Sequence, residues 1–236
     1  MLKSSSKTIA IIGLIIIFCH NLLALIPFEK DSIVKTLLSP LFGLSVFPVT
    51  AQTNFFMAYP PIPWLGIMLV GFASGKLFEL PDSKRKNLFL KISLGTLLFF
   101  VVLRFINVYG DSLLWSSQKN AFYTFLSFMN VTKYPPSLLF SLITLGIMFL
   151  ILAFGEVVNN KLKNIVSVYG KVPLFYFIIH FYLIHTAMIV LMFLQGFHWS
   201  DLNFASGSFG RPKGVQSGVE LWAIYLIWII VVFAKP

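Results

Sequence analysis

Four ionisable side chains lie inside long apolar runs of this chain: His20, Arg104, His180 and His185. Titratable groups in lipid are costly, and they usually face a bundle interior or a water-filled cavity. A histidine held there can act as a general base for an amine or a hydroxyl. It can equally be a hydrogen-bonded tie between helices. An arginine can hold an anionic group through its rigid fork of donors, or snorkel to the interface. His180 and His185 are the candidate catalytic residues. They are five positions apart, about 140° around a helix. A metal pair at spacing four would share a face; these two do not, and no other ligand cluster implies a metal.

A second group of polar residues sits at the ends of apolar runs. Arg104, Asn107, Tyr109 and Asp111 crowd one end. Asn130, Lys133 and Tyr134 crowd another, just before Pro135-Pro136. Tyr59-Pro60-Pro61-Ile62-Pro63-Trp64 opens a third. Rigid prolines, amphipathic aromatics and a few charges suit a shaped binding mouth. An aromatic belt with helix-start prolines accounts for Tyr59, Trp64 and the prolines. It leaves Asn107, Asp111, Asn130 and Lys133 unexplained. The seven residues Arg104, Asn107, Tyr109, Asp111, Asn130, Lys133 and Tyr134 are therefore the candidate substrate-binding set.

Composition says which elements must position these groups. Of 236 residues, 58% are apolar, 17% aromatic and 11% charged, against about 25% charged in soluble domains. The mean hydropathy is +0.87. These values exclude a soluble globular domain, a disordered chain and a disulfide scaffold. They imply an all-α fold, a polytopic transmembrane helix bundle forming a single domain over residues 1–236. Spanning helices need about 20 apolar residues. Six spans are expected: Thr8–Ile26, Pro63–Phe78, Leu88–Ile106, Ser137–Glu156, Val172–Gln195 and Val219–Ala234. Short interfacial helices are expected in the outer loops, one of them, interfacial or re-entrant, over Leu37–Val46 within the long connection 28–62. Two further long connections cover 107–134 and 196–218. Depth along the helices puts all four ionisable groups between mid-membrane and the outer leaflet, at roughly 12–24 Å from the inner ends.

The formal charge is +10, and the basic residues fall mostly in short loops. The positive-inside rule accounts for them, so no nucleic-acid partner is expected. Eleven of the 18 Lys and Arg lie on the N-terminal side and seven on the other, which predicts a cytoplasmic N-terminus in a cell membrane. Met1–Ala24 has the charge and apolar run of a signal peptide, but the run continues to Ile26, so a retained span is expected. Gly71 and Gly75 form a G-x-x-x-G pattern that predicts close helix packing. The glycines of Ser206–Gly218 fit no phosphate-binding loop and suggest a flexible connection. The lone Cys19 cannot form an internal disulfide and is expected as a small buried hydrophobe.

Four phrases carry a family resemblance: YPPIPWLGIMLVGFASGKLF (59–78), LRFINVYGD (103–111), FMNVTKYPPSLLFSLITLG (128–146) and VPLFYFIIHFYLIH (172–185). Together they resemble bacterial membrane proteins of the heparan-alpha-glucosaminide N-acetyltransferase-like family, within a wider group of polytopic acyltransferases. The resemblance runs from about Ile11 to Phe233. It implies a multi-span enzyme that takes acetyl from acetyl-CoA and delivers it to an amino sugar or envelope glycan across the membrane. Lys84, Arg85 and Lys86 would then assist CoA on the inner side, unless they serve topology alone. The family's N-terminal spans, with their D-x-x-R-G-like start and catalytic histidine, have no counterpart here. The resemblance thus implies a C-terminal part of a larger domain, and His180 and His185 match family-like positions without an assigned role. Two other readings stand beside it: a transporter or flippase for an envelope precursor, for which no internal repeat is visible, and a non-catalytic membrane subunit or remnant.

Overall fold

A computed structural model describes residues 5–25, 33–50, 53–57, 59–155, 164, 167–168, 170–204 and 209–233. The architecture is all-α, with one short antiparallel hairpin pairing Ser45–Pro48 with Asn54–Met57. The chain forms two compact units, Met1–Val158 and Asn159–Pro236.

Among its described residues the first unit holds six α-helices: α1 Ser6–Cys19, α2 Ile33–Phe42, α3 Pro61–Ser74, α4 Asp82–Ile106, α5 Ala121–Met129 and α6 Leu138–Phe154. Their ends follow local chemistry. Ser5, Asn120 and Ser137 each accept a backbone N–H from the first turn of α1, α5 and α6, which satisfies an orphan donor. Prolines open α3, where the missing N–H costs nothing. Asn107 ends α4 in the left-handed conformation (φ 55°, ψ 34°), a role asparagine tolerates well. The second unit holds α7 Pro173–Leu194 and α8 Leu221–Phe233.

Among the described residues, three helical stretches are long and apolar enough to cross a membrane: Pro61–Glu79, Asp82–Ile106 and Pro173–Leu194, of 19, 25 and 22 residues. The first joins α3 to a 3₁₀ turn over Gly75–Glu79. The other three expected spans contain shorter apolar helices, Ser6–Leu22, Leu138–Phe154 and Leu221–Ile230. Their expected ends at Ile26, Glu156 and Ala234 lie outside the described residues. Large apolar side chains stand exposed along α7 and α8, Leu174 and Trp222 each at 69%, as a lipid-facing surface requires.

Packing in the first unit is pairwise, α1 on α3 and α4 on α6. The first pair meets at glycines. A Cβ on Gly13 would lie 2.9 Å from the Gly66 carbonyl oxygen, and one on Gly66 would lie 2.7 Å from Ile16 Cγ2. In the second pair a Cβ on Gly146 would lie 2.7 Å from Leu97 Cδ2, and Ser93 Oγ donates to the Gly146 carbonyl at 2.8 Å. Ile17, Phe100, Leu138, Leu139 and Leu142 form one core, with Phe128 of α5 packed against it. Phe89, Phe149 and Ala153 form a second between α4 and α6.

Several expectations are corrected. The G-x-x-x-G residues Gly71 and Gly75 pack against nothing: a Cβ on either would meet no atom within 4 Å. They lie about 140° and 180° around α3 from Gly66, the glycine that faces α1. Cys19 is exposed, because α1 buries Gly13 and Ile17 instead. The short helix sits at Ile33–Phe42 rather than Leu37–Val46, and Ser45–Val46 is strand. The connection 107–134 contains α5, whose nine residues are too few to register as a span.

Candidate functional site

The polar end of α4 is built around Arg104, which is 1% exposed. Its guanidinium donates to four main-chain oxygens: Nε to Phe128 at 2.8 Å, Nη1 to Leu113 at 2.8 Å, and Nη2 to Ser127 at 3.0 Å and Asn130 at 2.6 Å. Ser127 and Phe128 belong to the last turn of α5, and Asn130 caps it. The last carbonyls of a helix have no intrahelical donor, and they carry its negative partial charge. Arg104 therefore closes α5 from outside. The side chain points inward, so it does not snorkel, and these bonds leave its fork turned to the backbone. Behind it, the Asn107 amide donates to the Trp115 carbonyl at 2.9 Å and accepts from Trp115 N–H at 3.1 Å. The Trp115 indole donates to the Arg104 carbonyl at 2.7 Å.

Asp111 performs the complementary task. It is 9% exposed and accepts four bonds. Leu113 N–H and the Thr132 hydroxyl reach Oδ1 at 2.8 and 2.6 Å; Thr132 N–H and the Ser137 hydroxyl reach Oδ2 at 2.9 and 2.8 Å. A carboxylate with this many donors is well compensated for burial. Ser137 also caps α6, accepting Phe140 N–H at 3.0 Å, so Asp111 fixes the start of that helix. Gly110, at φ 99°, permits the turn that brings Asp111 there; its carbonyl accepts Leu139 N–H at 3.0 Å.

The end of α1 joins this junction. His20 is buried; its Nδ1 lies 2.9 and 3.0 Å from the Ile16 and Ile17 carbonyls, and Nε2 lies 2.9 Å from the Pro136 carbonyl. The Asn21 carboxamide accepts Leu138 N–H at 3.2 Å. The Tyr109 hydroxyl donates to the Phe18 carbonyl, and burial pushes that phenol above its ordinary range.

Lys133 and Tyr134 stand at the rim. The Tyr134 and Tyr59 hydroxyls are 3.2 Å apart, their rings meet edge-on at 5.2 Å, and Lys133 Nζ lies 5.1 Å from the Tyr134 ring centre. Trp64 extends the aromatic group, 6.1 Å from Tyr59 and 6.4 Å from Phe140. The bond from Tyr59 lowers the Tyr134 phenol, and Lys133 adds to that; the same bond raises Tyr59.

In the second unit, α7 carries the two histidines. His180 Nδ1 lies 3.0 Å from the Tyr176 carbonyl, and its ring stacks on Tyr176 at 5.3 Å. His185 Nδ1 lies 2.6 Å from the Phe181 carbonyl, with Phe181 and Phe209 rings at 4.1 and 4.6 Å. A carbonyl only accepts, so Nδ1 is the protonated nitrogen in both. Nε2 is then the lone-pair nitrogen of the neutral ring. After α7, the Gln195 amide clamps Gly218, donating to its carbonyl at 2.6 Å and accepting its N–H at 3.0 Å. An open cavity of about 600 Å³ lies among loop residues that include Ser200, Asp201 and Lys213. Among the described residues no three His, Cys, Asp or Glu side chains gather as metal ligands would.

Of the expected binding set, Arg104, Asn107, Asp111 and Asn130 come together in one network; Tyr109 bonds the Phe18 carbonyl of α1, and Lys133 and Tyr134 gather separately with Tyr59. Thr132, Ser137, Trp115 and Asn21 complete the network and were not singled out from sequence. Ser137 alone had a signal, a serine directly before an apolar run. No protein-family model, no curated protein and no solved structure matches this chain.

Proposed function

We propose that the chain is a six-span protein of the cell membrane, N-terminus in the cytoplasm, that takes part in acyl transfer from acetyl-CoA to a sugar amine or hydroxyl on the outer side. The observation that carries this reading is the pinning of His180 and His185. Each ring is oriented by a main-chain acceptor at Nδ1, which prepares Nε2 to take a proton. In the proposed step the acceptor nitrogen attacks the thioester carbonyl, the C–S bond breaks, and the amine proton passes through Nε2 to the departing CoA thiolate. Within the first unit, Arg104 and Asp111 hold the loops on which Asn130, Lys133 and Tyr134 stand.

The test is transfer of labelled acetyl from acetyl-CoA to glucosamine in membranes containing the native protein with any preceding spans. Transfer lost in His180→Ala or His185→Ala, with folding retained, supports the reading. Absence of transfer from the complete protein overturns it. A second reading, a non-catalytic membrane subunit, is favoured by the commitment of Arg104 and Asp111 to main-chain and hydroxyl partners. It expects the histidine variants to alter stability and nothing else.

A further inference from the structure

Among the described residues of the first unit, one face of α4 is left uncovered from Lys84 to Val101, beyond which Phe105 meets the Phe128 and Trp115 rings. The side facing α6 carries Phe89, Ser93, Leu97 and Phe100, and Arg104 beyond them turns to α5. Turned away from it, at spacings of three and four, are Lys84, Asn87, Lys91, Leu94, Leu98, Val101 and Phe105, all exposed. Leu94, Leu98 and Phe105 are exposed by 62%, 65% and 65%. The order of chemistry along this stripe is polar for its first two turns and apolar for the rest. The neighbouring cations are already engaged: Arg85 donates to the Phe78 and Leu80 carbonyls and to Asp82, and Lys86 sits over the Phe154 ring. Among the described residues, Lys84 and Lys91 have neither an ion pair nor a hydrogen bond.

We propose that this stripe is the seat of an anionic phospholipid, its phosphate on Lys84 and Lys91 and one acyl chain along Leu94, Leu98 and Val101. The lysines are about 10 Å apart along the axis, and each can swing its ammonium toward the other's level. From Lys91 to Val101 is about 15 Å, close to half the hydrocarbon thickness of a bilayer. Charge complementarity selects an anionic headgroup over a zwitterionic one, at about five-fold for each lysine. The inference rests on α4 crossing the membrane and is independent of acyl transfer.

The experiment is native mass spectrometry of the detergent-purified protein mixed with equal phosphatidylglycerol and phosphatidylcholine. Wild type is expected to retain phosphatidylglycerol preferentially, the Lys84→Gln/Lys91→Gln variant to lose the preference, and Lys91→Arg to keep it. Equal retention of both lipids by wild type, or an unchanged preference in the double variant, overturns the proposal. So does displacement of phosphatidylglycerol by added CoA, which would give the lysines to CoA phosphates instead. Alkaline carbonate extraction separates the two failures. Protein released into the supernatant would end the membrane reading itself, while pelleted protein without lipid preference would end only this inference.

Discussion

Arg104 shows how a residue type can be read correctly as important and incorrectly in its partner. Its place in an apolar run marked it from sequence, and an anion was the natural partner to expect. Its actual acceptors are carbonyls of residues 113, 127, 128 and 130. Nothing in a sequence announces a main-chain oxygen, because every residue has one. Arg104→Lys keeps the charge but loses the fork, leaving buried carbonyls unmet. It should destabilise the protein by about 2–3 kcal/mol in thermal unfolding in detergent. Ser137→Ala removes a helix cap and one donor to Asp111, and should cost about 1–2 kcal/mol by the same measurement. At the rim, Tyr134 should ionise before Tyr59 on alkaline titration. The lowered phenol of Tyr134 favours the fold as pH rises past its folded value, while the raised phenol of Tyr59 opposes it at higher pH still. Tyrosinate absorbance tests the order: Tyr134→Phe should remove the lower transition, while Tyr59→Phe, which deletes the bond that lowers Tyr134, should move that transition up towards the ordinary tyrosine range.

At the scale of elements, apolar runs announced helices well, since burying a run in lipid forces its backbone to bond internally. All six runs contain one. Which face of a helix meets which partner was not legible. Gly71 and Gly75 had the recognised spacing, yet Gly13, Gly66 and Gly146 make the close approaches, without a motif. Packing depends on where a helix crosses its neighbour, and spacing within one helix cannot report that. Gly66→Ala should therefore destabilise, as its Cβ would press on Ile16. Gly71→Ala meets open space and should be neutral or stabilising by up to about 1 kcal/mol through helix propensity. A pair of thermal melts settles the contrast. Short helices in the outer loops were expected, but the position of α5 was not legible: a helix of nine residues is held by Arg104 at its end and by Phe128 in the core rather than by its own length.

For the whole molecule, the orientation is the quantity most open to test. With Cys19→Ser as background, Ser83→Cys should react with a membrane-impermeant maleimide only after cells are permeabilised. Ser116→Cys, in the connection before α5, should react on intact cells. The reverse pattern would invert the topology. What the sequence made legible at this scale is placement: Arg104, Asn107, Asp111 and Asn130 converge, since they cluster at two run ends that the pairing of α4 with α6 brings together. That they converge to hold one another, through Thr132, Ser137 and Trp115, needed coordinates.

The ties of α1 also set a schedule for making the protein. His20 meets the Pro136 carbonyl across 116 positions of chain, and Asn21 meets Leu138 across 117. At about 5–20 residues per second of synthesis, those partners emerge roughly 6–23 s after the first helix has left the ribosome. Throughout that interval the imidazole of His20 lacks its distant acceptor. Over that interval the first helix has α3, against which it packs, and the carbonyls of its own last turn as partners.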